Sequence, residues 1–376
     1  METDKSVFEK LLDLGDFYEI DRIEQSQVEV ISTKNREKYG KKSYSQVEIY
    51  LKLSKEHPIP IGYKLHSSNT KRWRHLDVFE HRCYLVCDIP LLLEESTGKL
   101  KNLELSFAKP YSGFTLKMEF GILQWIQEMN NINGVGRLLG EYPQRIQKIF
   151  DNHVNKQPDV IQAGKKMAID ETNRKKGHVY MTLFVDLDGE KPKIVDIEDG
   201  KGKDTIAKFV QKCSNVAEIE QLSMDMSPSF ISGAKEYLPN VPITFDKFHV
   251  VRLLNDHLDT LETKYNFENI VEAKNLLHEN MYKQDSIPEL KAFLAFFADW
   301  TIDKLWSNKI AKSIFNHFDG IAQVVTSQIT NGVLEGINSK IQVIKRTARG
   351  FRSFDNFKQR VFFAFSSFNT ITGKII

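Results

Sequence analysis

The chain has 376 residues with 41% hydrophobic content, enough for a large core divided into two or three domains. With 52 Lys and Arg against 50 Asp and Glu the net charge is +2, so this is not a globally basic protein, and any nucleic-acid contact must come from local charge blocks. Cys83, Cys87 and Cys213 are too few for a disulfide framework, no apolar run approaches the roughly 18 to 20 residues of a membrane span, and METDKSVFEK lacks the pattern of a secretory leader, so a cytoplasmic chain with no membrane partner is predicted.

Residues 1–112 alternate short β-like runs with polar turns: SQVEVISTK, SQVEIYLKL, RHLDVFEHRCYLVCDIPLL and LKNLELSF. Their period-two alternation predicts half-buried strands, paired antiparallel, in a small β-rich N-terminal domain. Cys83, Leu85 and Cys87 fall on one strand face. A Cys-x3-Cys pair cannot close a tetrahedral zinc site without other ligands such as His81, so a buried stripe is expected there and no zinc. From about Thr115 to His153 the apolar residues take helical spacing, as in Phe120, Leu123 and Ile126. Within it, NNINGVGRLLGEYPQRIQKIF predicts two helices about a tight turn, a helix-turn-helix unit in a DNA-binding region over 113–160. Arg145 and Lys148 are its candidates to face a groove, with Asn130, Asn131 and Gln144 as further polar contacts.

From Met167 the period changes to strands at KKMAIDET, HVYMTLFVDL and KPKIVDIED, with a hairpin turn at Asp188-Gly189. A helix from about Asp204 to Val216, a strand IEQLSMD, a helix Pro228 to Tyr237 and a strand VPITFD follow. This order predicts an α/β sandwich on a mixed sheet, ribonuclease H-like, as the catalytic core of a domain over 161–376. Residues from about 250 to 329 read as wholly helical, an all-α insertion before the last basic helix. Trp300 and Trp306 in it are either buried core or stacking residues.

Three acids stand where such a core would hold metal: Asp170 ending the first strand, Asp225 ending the fourth, and Glu335 on the helix after the insertion. Hard oxygen ligands of this kind suit a pair of Mg²⁺ or Mn²⁺ ions for phosphoryl transfer. Each aspartate alone also reads as a turn or helix-cap residue, and Glu335 alone as a solvated charge. Asp246 and His249 form an Asp-x-x-His pair after the fifth strand, either a supporting part of the site or a helix cap beside a packed histidine. The segment DGKGKD lacks the Gly-Lys-Ser/Thr ending of a phosphate-binding loop, so ATP use is not predicted.

AIDETNRKKGHVYMTLFVDL, SMDMSPSFISGAKEYLPNVPITFDKFHVVRLLND and NGVLEGINSKIQVIKRTARGFRSFDNF together resemble the transposases of the ISL three family of bacterial insertion sequences, from roughly Arg72 to Phe363. The resemblance implies a DDE transposase with a ribonuclease H-like core that binds terminal inverted repeats of double-stranded DNA, cleaves and joins strands with two divalent cations, and sits with the nucleoid as a homodimer or higher oligomer. It implies catalytic and metal-binding roles for Asp170, Asp225 and Glu335, and supporting roles for Asp246 and His249. A labelling with Asp246 as the second catalytic acid stays open. The zinc cysteine cluster common in the family is degenerate here, and the helical insertion is short.

After Glu335 the chain holds eight Lys or Arg against the single acid Asp355. Lys340, Lys345, Arg346, Arg349 and Arg352 are therefore the predicted phosphate contacts, a solvated amphipathic surface being the plainer alternative. Two other functions fit less of the pattern: a catalytically inactive DNA-binding descendant of a transposase, and a ribonuclease H-like DNA nuclease that cuts without joining.

Overall fold

A computed structural model of the chain describes residues 9–12, 14–15, 17–28, 43–54, 59–109, 111–154, 160–175, 179–265, 271–272, 274–275, 279, 287–300, 316–327, 332–348, 350–351, 353–366, 368–369 and 374–375. It forms a mixed α/β structure in two compact units, Met1–His153 with Ser367–Ile376, and Val154–Ser366. Among the described residues no helix is long and apolar enough to cross a membrane.

The first unit carries strands β1 (Tyr18–Val28), β2 (Tyr44–Leu53), β3 (Tyr63–Arg74), β4 (Arg82–Glu94) and β5 (Leu100–Asn102). The sheet runs β1-β2-β4-β3, with β5 on β4. Antiparallel pairing holds for β1 with β2 and β3 with β4, whereas β2 and β4 are parallel. Strand β3 lies outside the predicted runs because most of its residues are exposed on both faces, leaving no apolar alternation to read. Its place between β2 and β4 in the chain, but at the sheet edge in space, makes the β2–β4 pair parallel. Cys83, Leu85 and Cys87 do form a buried stripe, packed with Trp73 and Ile49, and burial pushes both thiols up to about 12.

Helices α1 (Leu116–Met129), α2 (Ile132–Leu139) and α3 (Pro143–His153) follow in the same unit. Thr115 caps α1 by accepting from the Met118 amide at 3.3 Å, and Asn131 caps α2 by accepting from the Gly134 amide at 3.0 Å. Gly140, at φ 63°, ends α2 in the left-handed region that favours glycine and turns the chain into α3. Ile122, Leu123, Ile126, Val135, Ile146 and Phe150 are buried, which is the apolar face that the helical spacing predicts.

The second unit is built on β6 (Lys166–Lys175), β7 (Val179–Asp186), β8 (Lys193–Asp199), β9 (Gln221–Met224) and β10 (Ile243–Phe245), in the order β10-β9-β6-β7-β8. Strands β6, β7 and β8 form an antiparallel meander, and β9 and β10 add parallel to β6. Helices α4 (Lys203–Lys212) and α5 (Pro228–Tyr237) supply the two crossovers that parallel pairing requires. They cover one face with α6 (Lys247–Tyr265), α7 (Ile287–Trp300) and α8 (Phe318–Ser327), through Phe209, Phe230, Val250, Leu294 and Ile321. The last three helices occupy the predicted insertion; Trp306 and the Trp300 side chain lie outside the described residues.

The opposite face is covered by α9 (Gly332–Ala348) and α10 (Phe354–Phe365), whose Leu334, Ile337, Ile341, Ile344, Phe357 and Val361 meet Ala168, Leu183 and Ile197. On edge strand β8, Asp196 is 1% exposed and is held by Lys358 at 2.6 Å and Lys212 at 3.2 Å, one ammonium from each helical layer. Paired donors of this kind offset the hydration that a buried carboxyl group loses.

Candidate active site

Strand register sets the places of three aspartates. The β6–β9 pairing runs to Ala168 opposite Ser223, so Asp170 and Asp225 each stand two residues past the last pair, near enough for the Asp225 charge to act on Asp170. The β9–β10 pairing sets Phe245 opposite Met224, so one residue further on Asp246 meets Asp225, and the Asp246 amide still donates to the Met224 carbonyl at 2.9 Å. Asp225 and Asp246 follow the carboxyl ends of β9 and β10, where open α/β sheets bind ligands, whereas Asp170 does not end its strand as predicted: β6 runs on to Lys175 because its pairing with β7 continues past it. By alternation Asp170 shares its face with Ala168 and Thr172, the face that α9 covers.

Helix α9 lies along β6 in three steps. Asn338 donates from Nδ2 to Asp170 Oδ2 at 2.6 Å, Gln342 from Nε2 to Thr172 Oγ1 at 3.2 Å, and Lys345 from Nζ to the Asn173 carbonyl. Glu335 sits one helical turn before Asn338, in the first turn of α9, and is exposed.

Burial pushes the Asp170 carboxyl up to about 6, and the Asp225 charge adds to that rise. The bonds from Asn338 and the Glu171 amide and the nearby His249 oppose it. Glu171, next along the strand, is also raised, first by burial, with Lys201 acting the other way. Asp225 accepts from the Ser227 amide at 3.0 Å, which orients it at the start of α5. Asp246 accepts from the Phe248 amide at 3.1 Å and holds His249 Nε2 3.6 Å from its other oxygen.

Among the described residues no three His, Cys, Asp or Glu side chains converge as a ready metal cluster. The donor chemistry nonetheless suits a hard cation: two carboxylates near enough to interact, one pushed up by burial, and a buried Asn338 Oδ1 with no hydrogen-bond partner. The structure puts Asp170 within electrostatic reach of Asp225 and His249 and Asp246 beside His249, and sets Glu335 on the covering helix. Sequence reasoning missed Asn338; the available signal was its position three residues after Glu335, on one helix face.

The basic residues divide into two sets. Lys340 donates to the Ala364 carbonyl at 2.6 Å and lies 4.6 Å over the Phe365 ring, and Lys345 is turned to Asn173 and Gln342. Burial pushes the Lys345 ammonium down. Both help fasten α9 within the fold. Arg346, Lys148 and Arg145 are exposed, and Arg145 is also bound to Glu141 at 2.5 Å and lies 4.3 Å over the Phe114 ring. Arg349 and Arg352 lie outside the described residues.

A family model described as a transposase, of the DDE group of ISL three type, matches residues 167–275 and 262–361. These two stretches begin at β6 and run through α9 to α10. The transposase for insertion sequence element IS1001 of Bordetella parapertussis is 23% identical over 353 residues, which cover 80% of this chain and 86% of that protein. With more than half of its residues matched by the family model, the chain belongs to the ISL three family of DDE transposases, enzymes of DNA transposition.

Proposed function

We propose that the chain binds the terminal inverted repeats of an insertion sequence, hydrolyses a phosphodiester at each end, and joins the freed 3′-hydroxyl to target DNA through a ribonuclease H-like core. The placement of Asp170 on β6 near Asp225, with Asp225 and Asp246 next after the parallel strands β9 and β10, carries this reading. The meander continued by two parallel strands, and the matched relative's name as an insertion-sequence transposase, support it further.

Asp170, Asp225 and Glu335 are the residues that would hold two Mg²⁺ or Mn²⁺ ions. Bound there, such ions supply charge that activates the attacking oxygen and stabilises the leaving one. Asn338 orients Asp170, and Asp246 orients His249 beside the acids. The α2–turn–α3 unit is the end-reading helix-turn-helix, with Lys148 and Arg145 toward the DNA, and Arg346 leads the phosphate contacts after Glu335. Lys340, Lys345, Arg349 and Arg352 complete that basic stretch. Synapsis of two ends calls for a homodimer or higher assembly on DNA.

The test combines protein, Mg²⁺, inverted-repeat DNA and a target plasmid. Joined products are expected from the wild type, and Asp170→Asn, Asp225→Asn and Glu335→Gln should each reduce them to background while end binding persists. Cut but unjoined ends would point to a nuclease, and binding without cutting to an inactive descendant. If Asp225→Asn keeps activity and Asp246→Asn loses it, the second catalytic acid is Asp246.

A further inference from the structure

Asn338 binds the one acid on β6 that faces α9, and only half of its amide is used. An ionised carboxylate only accepts, so the amide nitrogen must face Asp170 and the amide oxygen must face away. That oxygen is buried and without a hydrogen-bond partner. Leaving a buried acceptor unpaired costs about 1–3 kcal/mol, a cost that a side chain serving only to dock the helix would avoid. Docking is already provided by Gln342 on Thr172 and Lys345 on Asn173, further along the same helix.

We propose that Asn338 is a positioning residue of the cation site: its nitrogen fixes the Asp170 carboxylate, and its oxygen accepts a hydrogen bond from a water carried by the cation. The inference rests on the metal-dependent reading above. Partners of this kind orient first ligands, and their loss typically weakens metal binding about 10–100-fold. The 2.6 Å bond and the orphaned oxygen belong to one amide, one helical turn from Glu335.

The experiment measures Mn²⁺ binding to the full-length chain by isothermal titration, with circular-dichroism melting as a fold control. Four proteins are compared: wild type, Asp170→Asn, Asn338→Ala and Gln342→Ala. Asp170→Asn should remove the tightest Mn²⁺ site. Asn338→Ala should weaken that site at least about tenfold, and raise the Mn²⁺ concentration for half-maximal end cleavage by a similar factor. At saturating Mn²⁺ its cleavage rate should return toward that of the wild type. Gln342→Ala removes a comparable helix–strand bond and should leave Mn²⁺ affinity unchanged. If Asn338→Ala binds Mn²⁺ as well as Gln342→Ala does, while Asp170→Asn does not, the inference fails and the metal-dependent reading stands. If Asp170→Asn binds as the wild type does, both fall. Asn338→Ser gives the same reading if the alanine variant does not fold.

Discussion

Burial pushes the Asp170 carboxyl up to about 6 from an ordinary value of 3.8, so in the absence of a cation its charge is unwelcome in the folded state. A carboxyl raised on folding favours the folded state below its unfolded pKa, and that benefit is lost as pH rises through the folded one. Above about pH 6 the ion-free chain therefore carries a stability cost of about 1–3 kcal/mol at this residue. Asp170→Asn removes the charge and keeps an oxygen that can accept from Asn338. Urea unfolding of the second unit at pH 7.5 with chelator should show the variant more stable by about that amount, with the gap closing as pH falls toward 4. A variant less stable than the wild type at pH 7.5, or a gap that ignores pH, would contradict this account. Added Mn²⁺ should reverse the order, because only the carboxylate gains from it.

At the scale of elements, the entry to α1 links a cap to a proton. Thr115 Oγ1 accepts from the Met118 amide and lies 2.7 Å from His75 Nδ1, so its own hydrogen is free for a neutral imidazole. Burial pushes His75 down to about 4, with Lys117 and Arg74 acting the same way. Between pH 6.5 and 4 the unfolded chain binds the proton and the folded one does not, so stability rises with pH across that window and is lost on acidification. The first unit should lose up to about 3 kcal/mol between pH 7 and 4 through this group. His75→Gln should flatten that slope in urea midpoints taken across the window, and an unchanged slope would remove His75 as its source.

The same scale shows what was readable. Strands β7 and β8 are legible because Val, Ile, Leu and Phe fill them, β6 because a short apolar run, Met167 to Ile169, ends at a charge, and α1 to α3 because Ile122, Ile126, Ile146 and Phe150 repeat at helical spacing. Strand β3 was not legible: its exposed Leu65 to Thr70 segment carries no face, and only pairing with β4 makes it a strand. Asp225 could be named from a strand end, whereas Asp170 lies in the middle of β6, and the nearness of the two depends on a parallel register that local sequence does not encode. The bond from Asn338 joins residues 168 apart, a separation that periodicity cannot bridge.

For the whole molecule, a net charge of +2 gives little long-range attraction to DNA, so affinity must come from local groups of exposed cations. Lys345 is engaged with Asn173 and Gln342, while Lys148 and Arg346 are exposed. Each phosphate neutralised on duplex DNA steepens the dependence of log binding constant on log salt by about 0.9. Lys148→Ala and Arg346→Ala should therefore each flatten that slope by about 0.9, measured on inverted-repeat DNA between about 50 and 200 mM salt without divalent cations. Lys345→Met should leave the slope in place and lower stability, since its ammonium is committed within the fold. A flattened slope for Lys345→Met with none for Arg346→Ala would mean that α9 turns a different side to the DNA than its exposed one.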